Sequence, residues 1–208
     1  GQYHLCVDRG MRHGVRQGSH GFSQYDVCVS ENVTVLPDDV SFDAAALVDC
    51  YACGVHAMNR VPDVAGQSVA IIGAGAIALA LGQVLKANHV SQVILIGTRE
   101  QSVELAIAAS SADVGVVTAN EDVVSAVLAA TGGDGVAVTF ETVGGQSQLI
   151  QQAVEMTRRG GVVSVLGLFT KPQAIDPVMA MEHEVSIQWS NSFSSWNGER
   201  EFITALDL

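Results

Sequence analysis

Ser68-Val69-Ala70-Ile71-Ile72-Gly73-Ala74-Gly75-Ala76-Ile77-Ala78 is the stretch that decides the fold. Its first five residues form an apolar run, which reads as a strand buried on both faces. Two glycines follow at once, and the spacing then predicts a helix over 77–88 and a second apolar strand over 92–96. Gly73 permits a tight turn, and Gly75 has no side chain to hold a pyrophosphate off the backbone. Ala78, where a third glycine is common, lets the helix lie close on the sheet. The helix start presents the N–H groups of Ala76, Ile77 and Ala78, with the positive end of the helix dipole, to phosphates. Alone, such a glycine pattern is weak and could be a plain turn. Strand, helix and second strand around it make it a dinucleotide-binding unit.

Outward from this unit, strands and helices alternate. Helices are expected over 101–110, 122–130 and 146–156, and strands over 114–117, 136–140, 162–166 and 185–189. Residues 158–161 read as a turn. Six apolar strands with helices between most of them imply an α/β chain with a doubly wound parallel sheet. Upstream, residues 23–29 and 32–36 read as short strands, with a turn at Pro37-Asp38-Asp39. Ser41 is placed as the N-cap of a helix over 44–59, with Asp43 in the first turn. Residues 1–40 form no complete layer, and the helix begun near 199 runs to 208 without a cap. A partial chain is expected.

Bulk composition sets limits on the function. With 208 residues, 48% hydrophobic and 15% charged, the chain has material for a core without metals or disulfides. A net charge of −12 argues against nucleic-acid partners, which need a basic face. No apolar run reaches the length of a membrane span, and the first residues carry no secretory pattern. Cys6, Cys28, Cys50 and Cys53 are too few and too irregular for a secreted disulfide scaffold. A cytoplasmic protein with no membrane partner is the expectation.

The tip of the second strand selects the cofactor. An NAD site ends this strand with an acid that binds the ribose 2′-hydroxyl. Here the strand runs into Gly97-Thr98-Arg99. Gly97 leaves space, Thr98 offers a hydroxyl and Arg99 a fork of donors for a 2′-phosphate, so NADP(H) is expected. The alternative is an exposed arginine neutralised by Glu100. Further on, Thr142 and Val143, then Leu166 and Gly167, follow strand ends where open α/β sheets bind ligands. They complete the candidate cofactor site.

Together these residues resemble the medium-chain, zinc-dependent alcohol dehydrogenases. Gly21-Phe22-Ser23-Gln24-Tyr25 looks like a motif of that family, and Val35-Leu36-Pro37-Asp38 like the turn before its crossover helix. Residues 45–59, the glycine turn, Arg159-Gly160-Gly161-Val162-Val163, Val165-Leu166-Gly167 and residues 201–208 follow in the family's order. The resemblance implies a Rossmann domain over 46–193, remnants of a GroES-like β-domain over 1–45, and a returning catalytic segment over 194–208. It implies hydride transfer between NADP(H) and an alcohol, polyol or matching carbonyl. It also implies a homodimer or homotetramer, built by pairing the sheet edge at 185–189.

Two metal positions are carried over by the resemblance. Asp49 stands where relatives place the last protein ligand of catalytic Zn2+, which would polarise the alcohol and lower its pKa. Cys6 looks like the last cysteine of a four-cysteine structural zinc lobe. The other ligands of both sites are absent from the chain, so Asp49 is expected to be metal-free and the chain alone inactive. Cys50-Tyr51-Ala52-Cys53 has redox spacing, but two small buried helix residues is the better reading. His183-Glu184 lacks a second histidine, and His20 is the one histidine near the substrate side by resemblance. Trp189 and Trp196 are expected at the sheet edge or an interface. Two other readings compete: a zinc-free quinone or enoyl reductase, and a non-catalytic dinucleotide-binding module.

Overall fold

The computed structural model describes residues 3–7, 11–12, 15–16, 24–25, 30 and 33–208. Most of the strand expected over 23–29, the Gly21-Phe22-Ser23 motif and His20 lie outside the described residues. Residues 33–36 form no strand, contrary to expectation. After them Val40 N–H bonds to Pro37, closing the expected turn.

Six parallel strands form the body of the molecule. They are β1 (Ser68–Ile72), β2 (Gln92–Gly97), β3 (Val114–Val117), β4 (Val136–Glu141), β5 (Thr157–Val165) and β6 (Ser186–Trp189). Their order across the sheet is β3-β2-β1-β4-β5-β6, with every neighbour parallel. Chain direction across the sheet reverses between β1 and β4, the place where doubly wound folds open a crevice at the carboxyl ends of the strands. This is the Rossmann arrangement expected from the apolar runs.

Burial on both faces explains those runs. Val69, Ile71, Val93, Leu95 and Phe140 point into one core layer with Leu81 and Leu85. Ala70, Ile72, Ile94, Ile96 and Val163 point into the other, with Val127, Ile150 and Val154. The first layer is covered by α3 (Ala76–Ala87) and α4 (Glu100–Ala108), the second by α5 (Val123–Ala130) and α6 (Ile150–Met156). Asp122 caps α5 by accepting from Ser125 N–H at 2.8 Å. Among the described residues no helix is long and apolar enough to cross a membrane.

Three expected elements differ. The helix over 44–59 is two, α1 (Phe42–Ala45) and α2 (Val48–Asn59). Ser41 caps α1 as expected, accepting from Ala44 N–H at 3.2 Å. α1 buries nothing, whereas α2 buries Val48, Ala52, Val55 and His56, so the chain turns at Ala46 and Leu47 to bring the second piece onto the core. The helix over 146–156 starts only at Ile150. Gln148 and Ser147 are bound to the facing segment instead: Gln148 donates to Pro172 O and Gln173 donates to Ser147 O. β5 starts at Thr157, not Val162, because Thr157 pairs with Val136 and the strand then accommodates an irregularity. Arg158-Arg159-Gly160-Gly161 is therefore part of a strand, with Gly160 at φ 70.

Beyond β5 the chain forms α7 (Pro177–Glu182), β6, a short hairpin of Ser195–Trp196 with Glu199–Arg200, and α8 (Glu201–Leu206). α8 packs on α2 through a third apolar cluster that joins Val55, Val84, Ala205 and Phe202.

Candidate functional site at the carboxyl ends of the strands

The glycine turn is held between its two neighbouring strands. Gly73 N–H donates to Ile96 O on β2 at 2.8 Å. Its φ of 121 is a conformation that side-chain-bearing residues rarely adopt. On the other side stands Thr142, whose hydroxyl and N–H both donate to Ile72 O, at 2.8 and 3.0 Å. A Cβ at Gly73 would lie 2.3 Å from that hydroxyl oxygen. Gly73 is thus needed by the fold itself.

Gly75 is different. It is the N-cap of α3, exposed, with ordinary backbone angles and nothing within 4 Å of a Cβ built on it. Fold geometry makes no demand for glycine there; an approaching ligand would. Ala76 is exposed and Ile77 half-buried, while Ala78 is fully buried against the sheet. α3 therefore sits close to the sheet with its first N–H groups aimed over the strand ends, the arrangement that favours an anion.

At the end of β2, Gly97 is buried, and a Cβ there would meet Val103 at 2.7 Å and Ala74 at 3.1 Å. The absence of a side chain brings the β2 tip against the glycine turn. Thr98 and Arg99 are exposed, and Arg99 makes no salt bridge among the described residues, with Glu100 or any other acid. Val143 is exposed at the end of β4, while Leu166 and Gly167 are half-buried at the end of β5. A Cβ built on Gly97 would meet Ala74, one on Gly73 would meet Thr142 and Val143, and one on Gly144 would meet Gly167, so these segments lie side by side. The candidate cofactor residues thus form one continuous rim.

One member of that rim had no role in the sequence reading. Glu141 ends β4 with its side chain fully buried, and its Oε1 accepts N–H bonds from Val143 and Gly144 at 2.7 and 2.8 Å. Burial pushes the carboxyl above its ordinary value, and the backbone N–H groups of Gly144, Val143 and Gly167 offset part of the effect. The available signal was an acid closing an apolar strand just before a glycine.

The metal candidates stand apart from the rim. Asp49 is exposed in the first turn of α2, and Cys6 is exposed beyond a single 3₁₀ turn (Tyr3–Leu5). The described residues contain no group of three His, Cys, Asp or Glu side chains able to hold a metal ion. Asp49 and Cys6 therefore do not complete a zinc site with them, and no chemical step is assigned to zinc. Cys50 and Cys53 are free thiols on α2. Burial, then the nearby Asp49, raises both, and Cys53 reaches about 12. Both shifts favour the thiol over the nucleophilic thiolate.

A cavity of about 640 Å³ lies at the opposite end of the sheet, lined by Gln67, Asp134, Gly135, Arg158, Arg159 and His183. Its arginines are engaged in the fold: Arg158 donates to the Gln67 side chain and Arg159 to Glu182 O. The strand carboxyl ends, not this cavity, gather the features of a ligand site.

Known proteins share the fold. The chain is 31% identical over 184 residues to (R,R)-butanediol dehydrogenase of Bacillus subtilis, covering 85% of this chain and 50% of that one. Galactitol-1-phosphate dehydrogenase from Escherichia coli has the same fold, with a TM-score of 0.86 over 99% of this chain and 60% of that one, at 22% identity. A candidate zinc-binding dehydrogenase from Sinorhizobium meliloti, solved with NADP bound, gives a TM-score of 0.69 at 27% identity, covering 78% of this chain and 47% of that one. The chain spans about half the length of the curated relatives it matches. Residues 76–208 match the model of the zinc-binding dehydrogenases, and the chain belongs to that family.

Proposed function

We propose that this chain holds NADP(H) along the rim from Arg99 to Gly167. In the protein to which it belongs, it serves hydride transfer between that cofactor and an alcohol, polyol or matching carbonyl. The observation that carries the cofactor choice is the β2 tip. An exposed Arg99, without a salt bridge among the described residues, stands there beside the glycine turn, where an NAD site would have an acid. The pyrophosphate would lie on Gly75 and the first N–H groups of α3, and the 2′-phosphate on Thr98 and Arg99. The flat ring would lie between Thr142-Val143 and Leu166-Gly167. The family relative solved with NADP supports the same choice, and butanediol as the substrate named for another relative supports the alcohol class.

In this reading residues 46–193 form the cofactor domain, while 1–45 and 194–208 belong to the catalytic domain. Asp49 is the chain's contribution toward catalytic zinc. With no companion ligands among the described residues, the chain alone binds cofactor without turning over. β6 is a sheet edge with Trp189 exposed, which supports assembly of two copies through that strand.

Cofactor choice is tested by titrating the chain with NADPH and NADH, then repeating both with Arg99→Asp. Preference for NADPH that falls at least tenfold in the variant, with NADH unchanged or improved, is the expected result. Equal affinities that the substitution leaves alone would remove NADP from the assignment.

A further inference from the structure

We propose that Glu141 is a positioning residue for the nicotinamide half of the cofactor, locking the loop after β4 to the loop after β5. This rests on the cofactor reading above and assigns a role to a residue that the reading leaves unused.

The lock is built from both ends of the same residue. The Glu141 main-chain carbonyl accepts from Leu166 N–H at 2.8 Å and Gly167 N–H at 3.1 Å. The side chain turns to its own loop and accepts from Val143 and Gly144 N–H. Its second oxygen, Oε2, is buried and faces Gly167, whose backbone N–H favours the charged carboxylate and where an added Cβ would stand 2.3 Å away. The same Cβ would be 2.3 Å from Gly144 N, and a Cβ on Gly144 would be 2.4 Å from Leu168 N. The two loops thus approach as bare backbone, with the carboxylate between them. Gly145 N–H to Leu168 O at 2.8 Å and Thr170 N–H to Gly145 O at 2.9 Å continue the seam.

Physical cost argues that the acid is more than packing. A buried carboxyl is costly to desolvate, and an apolar side chain in its place would leave the Val143 and Gly144 N–H groups without their acceptor. What the acid secures is the position of two backbone turns that end in exposed apolar side chains, Val143 at 52% and Leu168 at 83%. Both project from the turns that would flank the ring. The phosphate-reading tip at Thr98 and Arg99 lies across β1 from this lock, on a different strand.

Two ligands separate the halves: NADPH, and adenosine 2′,5′-bisphosphate, which has the 2′-phosphate and no nicotinamide. Glu141→Leu, which removes the acceptor of both loop N–H groups, is expected to weaken NADPH at least tenfold, and to reduce the fluorescence gain of its bound nicotinamide. Adenosine 2′,5′-bisphosphate should stay within twofold. Gly167→Ala forces the same two loops apart from the opposite side and should give the same selective loss, should the leucine variant not fold. Equal weakening of both ligands, or no change in either, would overturn the positioning role. A folded wild-type chain that binds neither ligand would overturn the cofactor reading and this role with it.

Discussion

His56 Nδ1 and Glu201 Oε2 meet at 2.7 Å, joining α2 to α8 across 145 positions of sequence. Both side chains are buried, and Glu201 also accepts from the Asn59 side chain at 3.0 Å and from Ser194 N–H at 2.7 Å. Burial alone would raise the glutamate; the hydrogen bonds from His56, Asn59 and Ser194 outweigh it and hold the carboxyl below its ordinary 4.5. A depressed carboxylate contributes stability above its unfolded pKa and loses it as pH falls through the folded one.

Urea unfolding of Glu201→Ala at pH 7 should therefore show a loss of about 3–5 kcal/mol, the cost of breaking a buried pair. The difference from wild type should shrink as pH falls through the depressed pKa of the native carboxyl, below the ordinary carboxylate range. A difference that stays constant throughout the acid range would mean that packing, not charge, is what the residue supplies.

The two glycines of the turn should behave oppositely. Gly73→Ala meets both a positive φ and the Thr142 hydroxyl, and should cost about 1–3 kcal/mol of stability. Gly75→Ala meets nothing and should stay within about 1 kcal/mol of wild type, while weakening NADPH at least tenfold. Thermal melts with and without NADPH check both. A Gly75 variant that binds normally would place the pyrophosphate elsewhere.

Thiol reactivity checks the reading of Cys50 and Cys53. With both thiols raised by burial and by Asp49, peptide mapping after a brief iodoacetamide pulse at pH 7.5 should find them largely unmodified. Rapid modification, or a disulfide between them after mild oxidation, would restore a redox role to that pair.

Much of the sheet was legible because each strand is buried on two faces, and only a continuous apolar run satisfies that. β1 and β3 fall on their expected bounds, and the other strands except β5 within one residue. β5 was cut short since Arg158 to Gly161 has turn composition, although the backbone there still pairs with β4. Nothing between Ala45 and Val48 signals a break, because the break is imposed by where α2 must pack. α7 was missed despite a readable start, Asp176 capping a helix with Pro177 in its first turn. At the site, the glycines and Arg99 were legible from their place after apolar strands. The Glu141 lock and the His56–Glu201 pair were not, since each depends on residues brought together only by the folded sheet and helices.

Direct titration of the folded chain with NADPH, following nicotinamide fluorescence, is the measurement closest to the central claim. The account predicts saturable binding of one cofactor per chain, competed by adenosine 2′,5′-bisphosphate. A chain that melts cooperatively yet binds neither compound at millimolar concentration would contradict it.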